Sequence, residues 1–236
     1  MASKLYYCRQ TTEACKGIAY PSKAHPYRYG KSGCIYTSGC GVCSSLMVLC
    51  NLTDKVFDTK TWTSVCIVMG ARSAEGTDMS KVVKYMNEKY GITYSTTKDI
   101  DKLAAHMKKG YKAIINVSGG GKMLFSDSGH YVFCGGIDKS GNLIILDPYW
   151  YDGKFAATAN RKKYTKVKND REVYVQPSVL KSDIAAIYLF TPTKNKAIKY
   201  SVNDVNYKKP EPKAPTIKSG TYTLTNARGV YNGWGA

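Results

Sequence analysis

The chain has 236 residues, 43% hydrophobic and 22% charged, which is enough for a sizeable core in one domain with room for an appendage. No run approaches the roughly 18 apolar residues of a membrane-spanning helix, so stable membrane insertion is not expected. The 35 Lys and Arg outnumber the 17 Asp and Glu, for a formal net charge of +18, a field that draws polyanions: nucleic acid, anionic lipid, or the peptidoglycan and anionic polymers of a Gram-positive wall.

Residues 1–33 are rich in Tyr, Lys, Gly and Pro and read as an irregular arm. Its first nine residues lack an apolar h-region, so no signal peptide is expected. Gly39-Cys40-Gly41 then opens an apolar segment. Val42, Leu46 and Leu49 recur at i, i+4, i+7, and Cys43, Met47 and Cys50 repeat that spacing one position over. The two sets predict a buried helix running to about Leu52. Asp58 is placed to cap a second helix through Trp62, Val65, Cys66 and Met69, weakened at Gly70. Asp78 or Ser80 starts a third, with Val82, Val83 and Met86 inward and a stop before Gly91. Asp99 or Asp101 starts a fourth, ending near Gly110.

The second half reads as strands. Ala113–Val117 is β-branched and follows a glycine. Ser118–Ser128 is a Gly/Ser loop, expected to be flexible. His130–Cys134 and Asn142–Leu146 flank Asp138-Lys139-Ser140-Gly141, a hairpin signal. Val173–Val175 and Ala186–Phe190 follow. Helices first and an antiparallel sheet after predict an α+β fold. Residues 192–216 form a basic, Pro-containing linker. Residues 217–236 alternate like an opening strand and are too few to bury a core of their own, so they read as the beginning of a truncated module.

Eight cysteines occur, at positions 8, 15, 34, 40, 43, 50, 66 and 134. In a chain of this length they are expected to be mostly reduced and buried. Cys40 and Cys43 have no second such pair, and only His25, His106 and His130 are present, so no metal and no cofactor is expected. Without zinc-finger spacing or a basic recognition helix, nucleic acid is set aside as a partner. Gly119-Gly120-Gly121-Lys122 has the wrong spacing for a phosphate loop, and Met123 stands where a metal-binding hydroxyl is needed. Arg161-Lys162-Lys163 with Lys166 and Lys168 reads as a solvated basic face.

Nucleophilic catalysis by cysteine requires an ionised thiol, a base within reach and a group that orients the base. Cys40 lies at a helix start, where the helix dipole favours the thiolate, and its flanking glycines leave room for a substrate backbone. His130 begins a strand beside the Gly/Ser loop. Asp147 ends the next strand, so that pairing across the hairpin brings it to the same sheet end as His130, where a carboxylate fixes the imidazole tautomer. Tyr149 and Trp150 follow directly and are expected to line the cleft as substrate-binding residues.

Ser38-Gly39-Cys40-Gly41-Val42-Cys43-Ser44-Ser45-Leu46 resembles the nucleophile segment of C39-type cysteine peptidases. Gly129-His130-Tyr131-Val132-Phe133-Cys134-Gly135-Gly136-Ile137-Asp138 and Leu146-Asp147-Pro148 are similar to that family's His and Asp segments, in the same chain order. The resemblance covers roughly residues 30–190 and assigns residues 1–191 to the peptidase domain. It implies a papain-like fold, with Cys40 as nucleophile, His130 as base and then acid, and Asp147 as its orienting group. Val42 departs from the proline common after the Cys-Gly pair. Cys34 stands where many papain-like enzymes carry an oxyanion-hole glutamine. The Cys40 N–H supplies one donor, and Ser38, Tyr36 or a residue of the first 33 must supply the other.

The linker and terminal strand resemble the approach to an SH3-like wall-binding module. With the basic charge, they make a phage-endolysin type of peptidoglycan hydrolase the leading expectation, endopeptidase before amidase. Such a protein is made in the host cytoplasm and acts on the wall after release. The alternatives are a protein-directed peptidase, such as a bacteriocin leader peptidase, and a non-catalytic wall-binding protein.

Overall fold

The computed structural model describes residues 5–192, apart from Asp54 and Asp170. The linker at 192–216, save its first residue, and the terminal module at 217–236 lie outside the described residues. Chain order is α1 (Glu13–Lys16), α2 (Ile35–Ser38), α3 (Cys40–Leu52), α4 (Thr59–Val68), α5 (Met79–Tyr90), β1 (Thr93–Thr97), α6 (Ile100–Lys108), β2 (Lys112–Val117), β3 (His130–Ile137) and β4 (Leu143–Leu146). α7 (Ala159–Tyr164), β5 (Lys166–Lys168), β6 (Glu172–Val175), α8 (Pro177–Leu180) and β7 (Ile184–Thr191) complete it.

The long helices begin where their side-chain caps allow. Asp58 accepts from the Thr61 N–H, Asp78 from Ser80, and Asp99 from Asp101 and Lys102, each satisfying a donor the helix leaves unpaired. α5 stops at Gly91, whose φ of 65° is the left-handed C-terminal turn that glycine adopts without strain. α3 has no side-chain cap. It is held by burial instead: Gly41 through Cys50 are all buried.

The seven strands form one antiparallel sheet in the order β1-β7-β2-β3-β4-β6-β5. The expected hairpin is present, with Ile137 opposite Leu143 and Phe133 opposite Leu146. Asp138 closes its turn by accepting from the Ser140 and Asn142 N–H groups. Three consecutive buried residues in β2, Ala113–Ile115, and in β3, Val132–Cys134, show that the central strands are covered on both faces. α3 and α6 both pack against these two strands. The fold is therefore α+β and papain-like, with a helical first half packed on an antiparallel sheet.

Two elements depart from the sequence reading. β1, with the polar sequence Thr93-Tyr94-Ser95-Thr96-Thr97, is an edge strand paired with β7. The basic run after residue 160 is not only a solvated face: Arg161–Lys163 sit in α7 and Lys166–Lys168 form the opposite edge, β5. Exposed lysines at that edge discourage pairing with a further strand.

Residues 5–33 are irregular, as expected, apart from α1, yet they belong to the core. Tyr7, Cys8, Gln10, Cys15 and Tyr20 are buried. The Tyr7 hydroxyl donates to the Asp147 carbonyl at 2.7 Å, and the Gln10 N–H donates to the Pro148 carbonyl at 2.9 Å. Thr11 bonds the Trp150 carbonyl. Residues 7–11 thus lie along residues 147–150, beside the sheet end that carries Asp147.

Candidate active site

Cys40 is the first residue of α3, and it is the one half-buried cysteine of the eight; the other seven are buried and all eight are free. His130 opens β3. α3 is fixed to that strand by Ser44, whose hydroxyl donates to the Tyr131 carbonyl at 3.1 Å. The His130 side chain acts on the Cys40 thiol and lowers its pKa, and both residues line one cleft. His130 Nε2 lies 2.8 Å from Asp147 Oδ1, so the ring presents Nδ1 to the sulfur. Asp147 is fully buried.

The electrostatics follow from this row. Burial pushes the Cys40 thiol up, but the hydrogen bond and charge of His130, with backbone hydrogen bonds at Tyr131 and Gly41, outweigh it and hold the thiol below its ordinary pKa of 9.0. Burial alone lowers the His130 imidazole. The Asp147 charge and the bonds to Asp147 and Cys40 reverse that and raise it to about 9. Asp147 is likewise pushed up by burial and pulled below its ordinary value by the charges of His130 and Lys154. Elsewhere, burial raises Cys50, Cys66 and Cys134 to about 12. Cys40 is therefore chemically unlike them: an accessible thiol with a stabilised anion.

These groups open on a cleft of about 320 Å³, lined by Gln10, Thr37, Ser38, Cys40, His130 and Tyr149 among others. Tyr149 is where the sequence placed it, 38% exposed and edge-on to the His130 ring at 6.4 Å. Trp150 is not. It is 8% exposed, packs on Phe155 at 5.4 Å and is absent from the cleft wall. It lines a separate hollow with Gly153 and Lys162.

The flanking glycines also serve a different purpose from the one expected. A Cβ on Gly41 would meet the Thr77 side chain, and one on Gly39 would meet Ile35. The space beside Cys40 is thus taken by packing partners rather than left for a substrate. Nor is the Gly/Ser loop before His130 loose. Asp183 accepts from the Lys122 and Leu124 N–H groups, the latter at 2.9 Å. A side chain at Gly121 would strike Asp183 and Ser182, and one at Gly119 the Asp127 carbonyl.

Gln10 is the residue that sequence spacing missed. It is 2% exposed and lines the cleft beside Cys40. Its Nε2 donates to the Tyr36 carbonyl at 3.1 Å, and its Oε1 is buried without a partner. It lies within the first 33 residues, where a second oxyanion donor was sought. Ser38 also reaches the cleft, whereas Tyr36 does not line it. Cys34 caps α2 through its backbone only. No local pattern marks Gln10, because the arm reaches the site through long-range contacts, with residues 147–150 and with Tyr36.

Lys154 was missed as well. It is 2% exposed, and its ammonium donates to Asp147 Oδ2 at 2.6 Å and to the Tyr149 carbonyl at 2.9 Å. Among the described residues no group of three or more His, Cys, Asp or Glu side chains is placed to hold a metal ion.

A thiol at a helix start, an imidazole at a strand start and a buried carboxylate at the neighbouring strand end make up the papain-like arrangement. The chain belongs to the Peptidase_C39 like family, whose pattern matches residues 16–174. That span includes Cys40, His130, Asp147 and Lys154, and leaves Gln10 outside. Solved structures similar at low identity include the following three. The peptidase domain of Streptococcus ComA, a bifunctional ABC transporter involved in a quorum-sensing pathway, is 16% identical; the match covers 65% of this chain and 90% of that one, with a TM-score of 0.43. The Streptococcus mutans ComA peptidase domain is 15% identical, with 66% and 93% covered and a TM-score of 0.39. UfSP from C. elegans is 16% identical, with 68% and 31% covered and a TM-score of 0.39. Comparison with curated proteins finds no match.

Proposed function

We propose that this protein is a cysteine peptidase that hydrolyses amide bonds in Gram-positive peptidoglycan, as an endopeptidase rather than an amidase. The observation that carries the catalytic part is that Cys40 and His130 line one cleft, with His130 bonded to the buried Asp147 at 2.8 Å and holding the Cys40 thiol below its ordinary pKa. In this reading the Cys40 thiolate attacks the scissile carbonyl carbon, and the carbonyl π-electrons move onto oxygen. The Cys40 N–H stabilises that oxyanion, and Gln10, whose Nε2 donates to the Tyr36 carbonyl, holds the cleft wall beside it. Collapse expels the amine, which takes a proton from the His130 imidazolium, and leaves a thioester on Cys40. Water, deprotonated by neutral His130, then attacks the thioester and releases the acid. The thiolate and imidazolium are thereby restored. Asp147 keeps the ring oriented throughout. Tyr149 forms one wall of the substrate channel.

The wall substrate is supported by the net charge of +18, which concentrates the enzyme on anionic wall polymers, and by the basic linker and strand-like end of the sequence. Neither nucleic acid nor a bilayer is a partner in this reading. The protein is made in the host cytoplasm and meets its substrate after release. A second reading, a protein-directed peptidase such as a bacteriocin leader peptidase, fits the family membership equally well.

The test compares the full chain with Cys40→Ala on purified Gram-positive walls, following turbidity and released fragments. Clearing by the wild type alone, with new amino and carboxyl ends inside the stem or cross-bridge, is the expected result. Equal clearing by both proteins would end the catalytic reading. Cleavage of a protein substrate with intact walls selects the second reading, and a lactyl end on the fragments selects the amidase.

A further inference from the structure

Asp147 is gripped at both oxygens. Oδ1 accepts from His130 Nε2 at 2.8 Å and from the Tyr149 N–H at 2.9 Å. Oδ2 accepts from Lys154 at 2.6 Å. A carboxylate turns easily about its terminal torsion; these three bonds fix it, and the ammonium is the one that holds Oδ2. Lys154 is itself held, by the Tyr149 carbonyl at 2.9 Å and above the rings of Tyr149 and Tyr151 at 5.4 and 6.0 Å.

A lysine this deeply buried loses its hydration, and such a charge is kept only when paired and hydrogen-bonded. The pairing matters to the reaction because the row alternates in sign: thiolate, imidazolium, carboxylate, ammonium. With Lys154 the row is neutral. Without it, the buried row carries one net negative charge.

We propose that Lys154 is a positioning residue, which sets the rotation and effective charge of Asp147 and so the ease with which His130 releases its proton to the leaving amine. The inference rests on the Cys40–His130–Asp147 reading above. It also accounts for the Tyr149 wall, since one ammonium fixes both the triad carboxylate and the backbone of a cleft residue.

The sign follows from the charges that face the row. His130 and Cys40 lie on one side of Asp147, and Lys154 on the other. Tyr7 donates to the Asp147 carbonyl and carries Arg171 over its ring at 5.6 Å. Arg161 on α7 repels Lys154 from further off. Tyr149 and Tyr151 present uncharged rings. Removing the Lys154 charge therefore raises the proton affinity of the His130–Asp147 pair, whichever member holds the proton. The imidazolium then survives to higher pH and yields its proton less readily.

The experiment follows iodoacetamide labelling of the Cys40 peptide against pH by mass spectrometry, in the full chain and in Lys154→Gln, Lys154→Met and Lys154→Arg, beside kcat and KM on walls. The glutamine keeps a hydrogen-bond donor for Oδ2 without the charge. Expected for Lys154→Gln and Lys154→Met is an alkaline limb displaced upward by about one to three pH units, the Coulomb effect of one charge across a few ångströms at a protein-like dielectric. Their kcat falls about tenfold or more, and KM changes less. Lys154→Arg restores the wild-type limb. An alkaline limb that stays in place or moves down in Lys154→Gln overturns the proposal, as does a collapse of all three variants on thermal melting, which marks a structural role only. An ordinary thiol profile in the wild type sinks the catalytic reading and this one together. A perturbed wild-type profile that Lys154→Gln leaves unchanged sinks this one alone.

Discussion

The Ser44 hydroxyl donates to the Tyr131 carbonyl at 3.1 Å. It ties the second turn of the nucleophile helix to the strand residue next to His130, and so sets the height of Cys40 against its base. Ser44→Ala removes that tie and leaves a carbonyl short of one donor. The expected loss of stability is about 1 kcal/mol. Misplaced reacting groups cost far more in rate than in stability, so kcat is expected to fall about tenfold or more. Denaturant melts beside initial rates on walls check this, and a stability loss with unchanged kcat would refute the positional role.

Asp147→Asn keeps the shape of the carboxylate and removes its charge. His130 loses its counter-charge and Lys154 is left as a buried cation, a situation that costs roughly 3–5 kcal/mol when one partner of a buried pair is removed. Activity is expected to fall by up to about 10⁴-fold, the effect of the same change in a serine triad. Peptide release assays and thermal melts measure the two losses separately.

The pH dependence has a defined sign on each side. The Cys40 thiol titrates below 9.0 and His130 at about 9. Labelling of Cys40 is therefore expected to persist at neutral pH, where ordinary thiols fade, and turnover to fall as pH rises through about 9. The folded imidazole is raised above its unfolded 6.5. Its contribution to stability is fully present below about 6.5 and is lost as pH climbs through about 9. Asp147 is depressed below 3.8. Its contribution is present above about 3.8 and is lost as acid protonates the folded carboxylate. Chemical denaturation at a series of pH values reads both limbs.

Gln10→Ala removes the amide from the cleft while leaving the Tyr7 and Thr11 contacts of the arm in place. The Tyr36 carbonyl loses its donor, which costs about 1 kcal/mol of stability, and kcat falls about tenfold as the cleft wall loosens. Labelling of Cys40 changes little, because His130 and Asp147 are untouched. Equal losses in both assays would show that the substitution disturbs Cys40 itself.

Gly41→Ala tests what the second glycine is for. Its new Cβ meets Thr77, whose hydroxyl pairs with Tyr20 at 3.0 Å. Overpacking of this kind costs roughly 1–3 kcal/mol. The expected result is a lowered melting temperature with KM close to the wild-type value. A large rise in KM with an unchanged melt would restore the view that Gly41 makes room for substrate.

Much of this architecture was legible in the sequence because local chemistry and tertiary packing agree there. Asp58, Asp78 and Asp99 cap helices whose apolar spacing is plain, and Asp138–Gly141 turns a hairpin between two apolar strands. That hairpin brought Cys40, His130 and Asp147 within one hypothesis. What stayed hidden depends on distant partners. Thr93–Thr97 is polar and is a strand only because β7 pairs with it from some ninety residues away. Gln10 and Lys154 belong to no periodic pattern, and their roles come from the segment 147–150 that both touch. Aromatic residues after Asp147 look alike in sequence, while in the fold Tyr149 lines the cleft and Trp150 packs on Phe155.

The contact between Tyr7 and Asp147 spans 140 positions of chain, and Gln10 arrives with it. During synthesis the arm emerges before the far hairpin, and its bonds to residues 147–150 can form only once that hairpin is made. A ribosome-bound chain that has not yet exposed residue 150 therefore carries a thiol without its imidazole, its carboxylate or its docked amide. Reactivity switches on only when nearly the whole domain is in place, so the protein's own topology spares the translation machinery from a half-made hydrolase.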